Sequence, residues 1–137
     1  MTAGILGTTA VAAALMAQIL LEKTSYKAER IVDGDTFVTT ENQMIRFSGI
    51  DAPEMENCAG KEAKEALGKL ILNKKLYLKV IYRDSSNRLI SNVYDNKGLV
   101  SAKMVRLGMA YYTQSGMQSS ELAEAANEAR TKKVRCL

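Results

Sequence analysis

Histidine is absent from this chain. Without an imidazole it cannot be a Ser-His-Asp hydrolase, an HExxH metalloprotease, a histidine-metal-finger nuclease or a two-histidine phosphodiesterase. It cannot form a phosphohistidine either. Acid–base chemistry must come from carboxylates, Lys, Tyr or Cys, or from water on a hard metal ion. Cysteine is nearly absent too, since Cys58 and Cys136 are too few for a structural zinc site. Pro53 is the one proline. Charge is missing from residues 1–21, and Glu22 is the first charged side chain.

What remains is ample for one domain. The 137 residues are 47% apolar and 25% charged, which excludes disorder as the overall description and leaves no room for two ordinary domains. With 19 Lys and Arg against 15 Asp and Glu, the formal charge is +4. A balance this mildly basic is compatible with a polyanionic partner without requiring one.

The uncharged start contains the run Ile5–Leu21, ILGTTAVAAALMAQILL, near the lower limit of about 17 residues for a membrane span. Three readings compete. A cleaved signal peptide fits the length and the small residues Ala12–Ala14 and Ala17, but the basic start of such peptides is missing. An uncleaved anchor fits equally well. A buried Ala-rich helix ranks third, because only Gln18 and a few Thr would make its polar face. Residues 1–23 are therefore expected to be a signal peptide or transmembrane anchor, so that the chain is membrane-anchored or exported. Lys23, Lys27 and Arg30 follow the run but are offset by Glu22 and Glu29, which leaves the side of the membrane open.

Residues 24–137 read as a mixed domain. Strands are expected at Tyr26–Val32, Thr36–Thr40, Met44–Ser48, Leu76–Tyr82 and Arg88–Tyr94, with turns at Asp33–Asp35, Glu41-Asn42, Asp84–Asn87 and Asp95–Gly98. In the fourth strand, Leu76, Leu78, Val80 and Tyr82 alternate onto one side. Helices are expected at Ala59–Asn73, Leu99–Leu107 and Glu121–Lys133, the last capped by Ser119 and Ser120. Three strands, a helix, two strands and two helices point to an α+β domain. The expected fold is a five-stranded barrel of OB type with three helices, preceded by an N-terminal apolar helix.

Chemistry concentrates in two acidic turns. Asp33 and Asp35 flank a glycine, and Asp51 and Glu54 flank Ala52-Pro53 at the end of the third strand. If the first three strands form a meander, both turns lie at one end of the sheet and four carboxylates converge. Like charges so close need a cation between them, and oxygen-only ligation points to Ca²⁺ or Mg²⁺. Acidic turn residues are usually only turn formers. Arg46 on the strand leading to Asp51, and Arg88 opening another strand, shift that reading. A metal, a carboxylate base and two guanidinium forks are what phosphodiester hydrolysis uses.

Val32-Asp33-Gly34-Asp35-Thr36, Ile45-Arg46-Phe47-Ser48-Gly49-Ile50-Asp51-Ala52-Pro53-Glu54 and Asn87-Arg88-Leu89 closely resemble the staphylococcal nuclease family, in the family's order. The resemblance runs from Tyr26 to Val134. It implies an OB-fold barrel with three helices and Ca²⁺-dependent cleavage of DNA and RNA, without an organic cofactor. Carried over, Asp35, Asp51 and the Ala52 carbonyl become calcium ligands, and Asp33 an acid close behind them. Glu54 becomes the general base, and Arg46 and Arg88 the clamp on the phosphate. Tyr111 and Tyr112 lie near positions where relatives hold the nucleotide, with core packing the equal alternative. Ser85 and Ser86 replace a basic and an aromatic residue of the best-known members, which weakens nucleotide binding there. Arg130, Lys132, Lys133 and Arg135 of the last helix read as a solvated basic face rather than a phosphate track.

The rival reading is the same barrel, catalytically dead and binding nucleic acid or protein. Retention of Asp35, Arg46, Asp51, Glu54 and Arg88 favours the enzyme. A monomer is expected. If the C-terminal tail folds back across the first domain helix, Cys58 and Cys136 meet in a disulfide, which an exported domain would keep oxidised.

Overall fold

The computed structural model describes residues 11–15, 25–114 and 120–129. Of the N-terminal run only 11–15 is described, as an exposed helical stretch. The rest of the expected signal or anchor lies outside the described residues, as do the 130–133 end of the last helix and its four basic residues. Among the described residues no helix is long and apolar enough to cross a membrane.

Among the described residues nine short strands appear where five were expected: β1 (Ser25–Tyr26), β2 (Ala28–Ile31), β3 (Thr36–Thr39), β4 (Met44–Phe47), β5 (Ile50–Asp51), β6 (Leu76–Arg83), β7 (Leu89–Asp95), β8 (Gly98–Leu99) and β9 (Tyr111–Tyr112). The helices are α1 (Cys58–Ile71), α2 (Val100–Arg106) and α3 (Ser120–Ala129). The main sheet runs β1-β6-β7-β4-β3-β2, with β8 added to β7, while β5 and β9 pair separately. The expected first strand is broken at Lys27, and the break is what nearly closes the barrel. Tyr26 pairs with Leu76 on one edge, and Ile31 with Phe37 on the other. One extended segment thus joins both edges of a twisted sheet, leaving little edge exposed. This mixed α+β architecture, with its nearly closed barrel-like sheet, fits an OB-fold.

Period-two patterning places the core. Ile45 and Phe47 of β4 point inward and are fully buried, while Met44 and Arg46 point outward. The Phe37 and Phe47 rings meet edge to face at 5.9 Å and 73°. Helix α1 closes one end with Ala59, Ala63, Leu67 and Ile71, one apolar stripe of an otherwise charged helix. Asn42 in the β3–β4 turn and Asn87 before β7 both adopt φ near +60°, a conformation asparagine tolerates well.

Strand β6 departs from its expected alternation. A bulge between Val80 and Tyr82 shifts the register against β7. Leu76 is fully buried, but Tyr82 is 57% exposed and does not share the core side. Bulges re-aim side chains in this way.

Candidate active site

Arg46 organises the site. Strand β4 runs parallel to β7 with Arg46 opposite Ile90, so Arg46 and Arg88 project from the same outer face of neighbouring strands. They line one cleft of about 350 Å³ together with Asp51, Tyr82, Asp84 and Thr113. Arg46 donates to the carbonyls of Phe47 and Ile50, pairs with Asp51, and stands 3.4 Å from Asp35. Two carboxylates therefore converge on a single guanidinium nitrogen.

Asp35 sits deeper, 6% exposed. Its Oδ2 accepts the Ala52 N–H at 2.8 Å, and its Oδ1 accepts the Thr36 hydroxyl at 2.8 Å. Burial pushes the Asp35 carboxyl above its ordinary value, against the Ala52 N–H, the Arg46 charge and the Thr36 hydroxyl, which all favour ionisation. Asp51, by contrast, presents a side chain that is 62% exposed.

Small residues permit this approach of two loops. A Cβ on Gly34 would stand 2.6 Å from the Ala63 Cβ and 2.8 Å from the Ala52 Cβ, so the Asp33–Asp35 turn is wedged between the Asp51 loop and α1. A Cβ on Gly60 would collide with the Glu54 carbonyl. That carbonyl also accepts the Asn57 N–H at 3.0 Å. Helix α1 thereby braces the loop that carries Asp51 and Glu54.

The four expected carboxylates do not all converge. Asp33 Oδ1 accepts the N–H of Asp35 at 2.9 Å, an Asx turn that keeps it on its own loop. Glu54 is exposed and does not line the cleft. Among the described residues, no group of three or more acids, cysteines or histidines is close enough to hold a metal. The Asp35–Asp51 pair nevertheless suits a hard cation. Its donors are oxygens only, and its mutual repulsion already has to be neutralised by a positive charge.

Arg88 is held differently. Asp84 Oδ2 accepts from its Nε at 2.9 Å, while Oδ1 accepts the backbone N–H of Ser86 and Arg88 at 3.0 and 2.8 Å. The Arg88 N–H leads these bonds and outweighs burial, so the Asp84 carboxyl lies below its ordinary value. The two tyrosines separate. Tyr111 pairs across from Asp51 and is 58% exposed, whereas Tyr112 pairs with Ile50 and packs against the core. Sequence reading did not single out the aromatic at the cleft rim, Tyr82, which alternation puts on the side of Leu76; the adjacent Val80-Ile81, two β-branched residues in a row, is its only signal. Cys58 opens α1 and is disulfide-bonded; its expected partner, Cys136, lies outside the described residues.

Residues 44–135 match the family model described as staphylococcal nuclease homologue. Staphylococcal-like nuclease CAN1 of Arabidopsis thaliana is 38% identical over 90 residues, which cover 66% of this chain and 28% of the relative. An uncharacterized endonuclease of Haemophilus influenzae is 33% identical, over 76% of this chain and 64% of its own length. Protein ParB of Escherichia coli is 31% identical, over 77% and 67%. The chain spans less than a third of the length of the plant relatives it matches.

Proposed function

The chain belongs to the staphylococcal nuclease family, and from that premise we propose that it is a Ca²⁺-dependent endonuclease hydrolysing phosphodiester bonds of DNA and/or RNA with little sequence specificity. The observation that carries this reading is the pair of guanidinium groups, Arg46 and Arg88, facing one cleft beside Asp51. Water attacking phosphorus builds negative charge on the phosphoryl oxygens. Two fixed forks stabilise that charge where it develops, and losing one such group typically costs ~10²–10³ in rate.

Asp35 and Asp51, with the Ala52 carbonyl, are the residues that would hold calcium. When bound, it would act as a Lewis acid on a phosphoryl oxygen. Arg46 reaches the phosphate only by giving up a carboxylate partner, so its reach is tied to whatever else neutralises Asp35 and Asp51. Glu54 takes the proton of the attacking water, from a loop whose backbone is braced by α1. Asp33 supports Asp35 through its N–H. Tyr82 and Tyr111, both exposed, offer faces to unstacked bases, and stacking tolerates any base. Residues 1–23 tether or export the domain, and Cys58 pairs with Cys136. A cleft aimed at phosphate rather than base edges accounts for the low specificity.

Incubating the full chain with denatured DNA or RNA, with Ca²⁺ or with chelator, tests the proposal. Cleavage should require Ca²⁺ and be poorly supported by Mg²⁺. Equal turnover in chelator would refute the metal dependence, and no turnover in any condition would refute the enzyme.

A further inference from the structure

The positive charge of this chain also gathers on a face that the cleft does not use. Between α1 and β2 lies a groove walled by Arg30, Lys61, Lys64 and Lys69, with Glu65 its one acid. The helical spacing explains the wall, because positions 61, 64, 65, 68, 69 and 72 fall on the side of α1 opposite its buried stripe. Its floor is aliphatic, made by Ile31, Met55 and Leu72. Gly68 leaves that floor bare, since a Cβ there would only touch Leu72 and Ile31 at 3.5 and 3.7 Å.

Beyond the end of the helix, a separate hollow is lined by Lys74, Lys75, Lys97 and Tyr77, and its one acid, Asp95, is taken by Lys103. Glu65 stands at i,i+4 from both Lys61 and Lys69, yet neither pair forms an ion pair. Nor do Arg30, Lys64, Lys74 or Lys75 pair with any acid among the described residues. One loop connects groove and cleft: Asp51 lines the cleft and Met55, four residues on, lines the groove, with the exposed Glu54 between them. From Lys61 to Lys69 the basic wall runs about 12 Å along the helix.

We propose that α1 carries a second polyanion-binding tract, which holds the backbone of a single-stranded nucleic acid as it leaves the cleft. This rests on the nuclease reading above. Charge complementarity selects a polyanion. Continuity with the Asp51 loop selects the polymer already in the cleft over a separate acidic protein. The absence of an aromatic among the groove's lining residues makes it a backbone track rather than a base-reading site.

The test measures binding in chelator, where the full chain does not cut. Its probes are labelled oligothymidylates of about 20 and about four nucleotides, longer and shorter than the span of one barrel's site. Wild type is compared with Lys61→Gln/Lys64→Gln/Lys69→Gln and with the corresponding triple Lys→Arg variant. For the long probe, the Gln variant should bind on the order of tenfold more weakly at low salt. Its slope of log affinity against log salt should be shallower by about 2, at ~0.7 per lost phosphate contact. The Arg variant should keep the slope, and with Ca²⁺ all three proteins should cut the short probe alike. An unchanged slope in the Gln variant, with cleavage intact, overturns the tract and leaves the nuclease standing. The expected slope change in a protein that never cuts overturns the nuclease and leaves the tract. Loss of binding to phosphatidylglycerol vesicles with oligonucleotide binding intact would make the face a membrane contact and overturn the proposal.

Discussion

Arg46 and Arg88 share one cleft but are built into the protein differently. Arg46 lies inside a strand and is surrounded, with two backbone carbonyls and two carboxylates on its guanidinium. Arg88 lies at the mouth of a strand. Among the described residues it is engaged through Nε alone, by an acid four residues back in the same turn. The first arginine neutralises a buried acid before any substrate arrives, so it belongs to the fold as well as to the site. The second keeps both Nη groups for whatever enters the cleft. Two arginines with one expected chemical role therefore need not have one structural role.

Removing Arg46 should have the largest effect. Arg46→Ala is expected to lower the rate on denatured DNA by ~10³. It should also reduce stability by about 1–3 kcal/mol, because Asp35 is left buried without its counter-charge. Initial rates and thermal midpoints by circular dichroism check both. A normal midpoint with a lost rate would reduce Arg46 to the role proposed for Arg88.

Arg88→Ala should cost ~10² in rate. Stability should stay within about 0.5 kcal/mol, as for other surface substitutions. Asp84 keeps its bond from the Ser86 N–H in this variant, and the backbone N–H of residue 88 remains. A loss of stability equal to that of Arg46→Ala would erase the contrast.

The smallest expected effect is that of Asp84→Asn, which removes the charge but not the acceptor of the turn. The rate should fall several-fold, less than in Arg88→Ala, because Nε loses its ionic partner. The pH dependence has a definite sign. The Asp84 carboxyl titrates below its ordinary value in the folded chain, so the unfolded chain binds more protons in the acid range. The stability contributed by Asp84 is present above the ordinary carboxylate value and is lost as pH falls through the lowered one. Thermal midpoints of wild type and variant should differ near neutrality and merge in acid. Added salt should shrink the difference, since the pair is only half-buried.

The arginines show where reading the sequence succeeds and where it stops. Arg46 and Arg88 were legible as a pair because one sits in a strand and the other, just before β7 rather than in it, closes a recognisable turn. Their difference was not, since it depends on Asp35 and on the Phe47 and Ile50 carbonyls converging in space. The placement of the acids was not legible either: Asp35 and Asp51 both reach the Arg46 guanidinium, Asp33 bonds within its own turn and Glu54 is exposed. Alternation puts Tyr82 on the side of Leu76, because strict period two has no way to anticipate a bulge. The pairing of Tyr111 with Asp51 joins strands far apart in the chain, and no local pattern announces such a contact.

The sequence by itself determined the chemistry on offer and the local elements. The absence of histidine left acid–base chemistry to carboxylates, Lys, Tyr or Cys, or to water on a hard metal ion. Propensity, alternation and helical spacing set most strands, the three helices and the turns, because those depend on residues within a few positions of one another. The tertiary structure decided which of these groups meet. The break at Lys27 lets one segment bridge both sheet edges, and Gly34 and Gly60 let two loops and a helix approach within contact distance. Parallel pairing of β4 and β7 sets the two arginines on one face. Each of these is a relation between residues distant in the chain. Its energy comes from packing and from charges brought close together, which no local preference encodes.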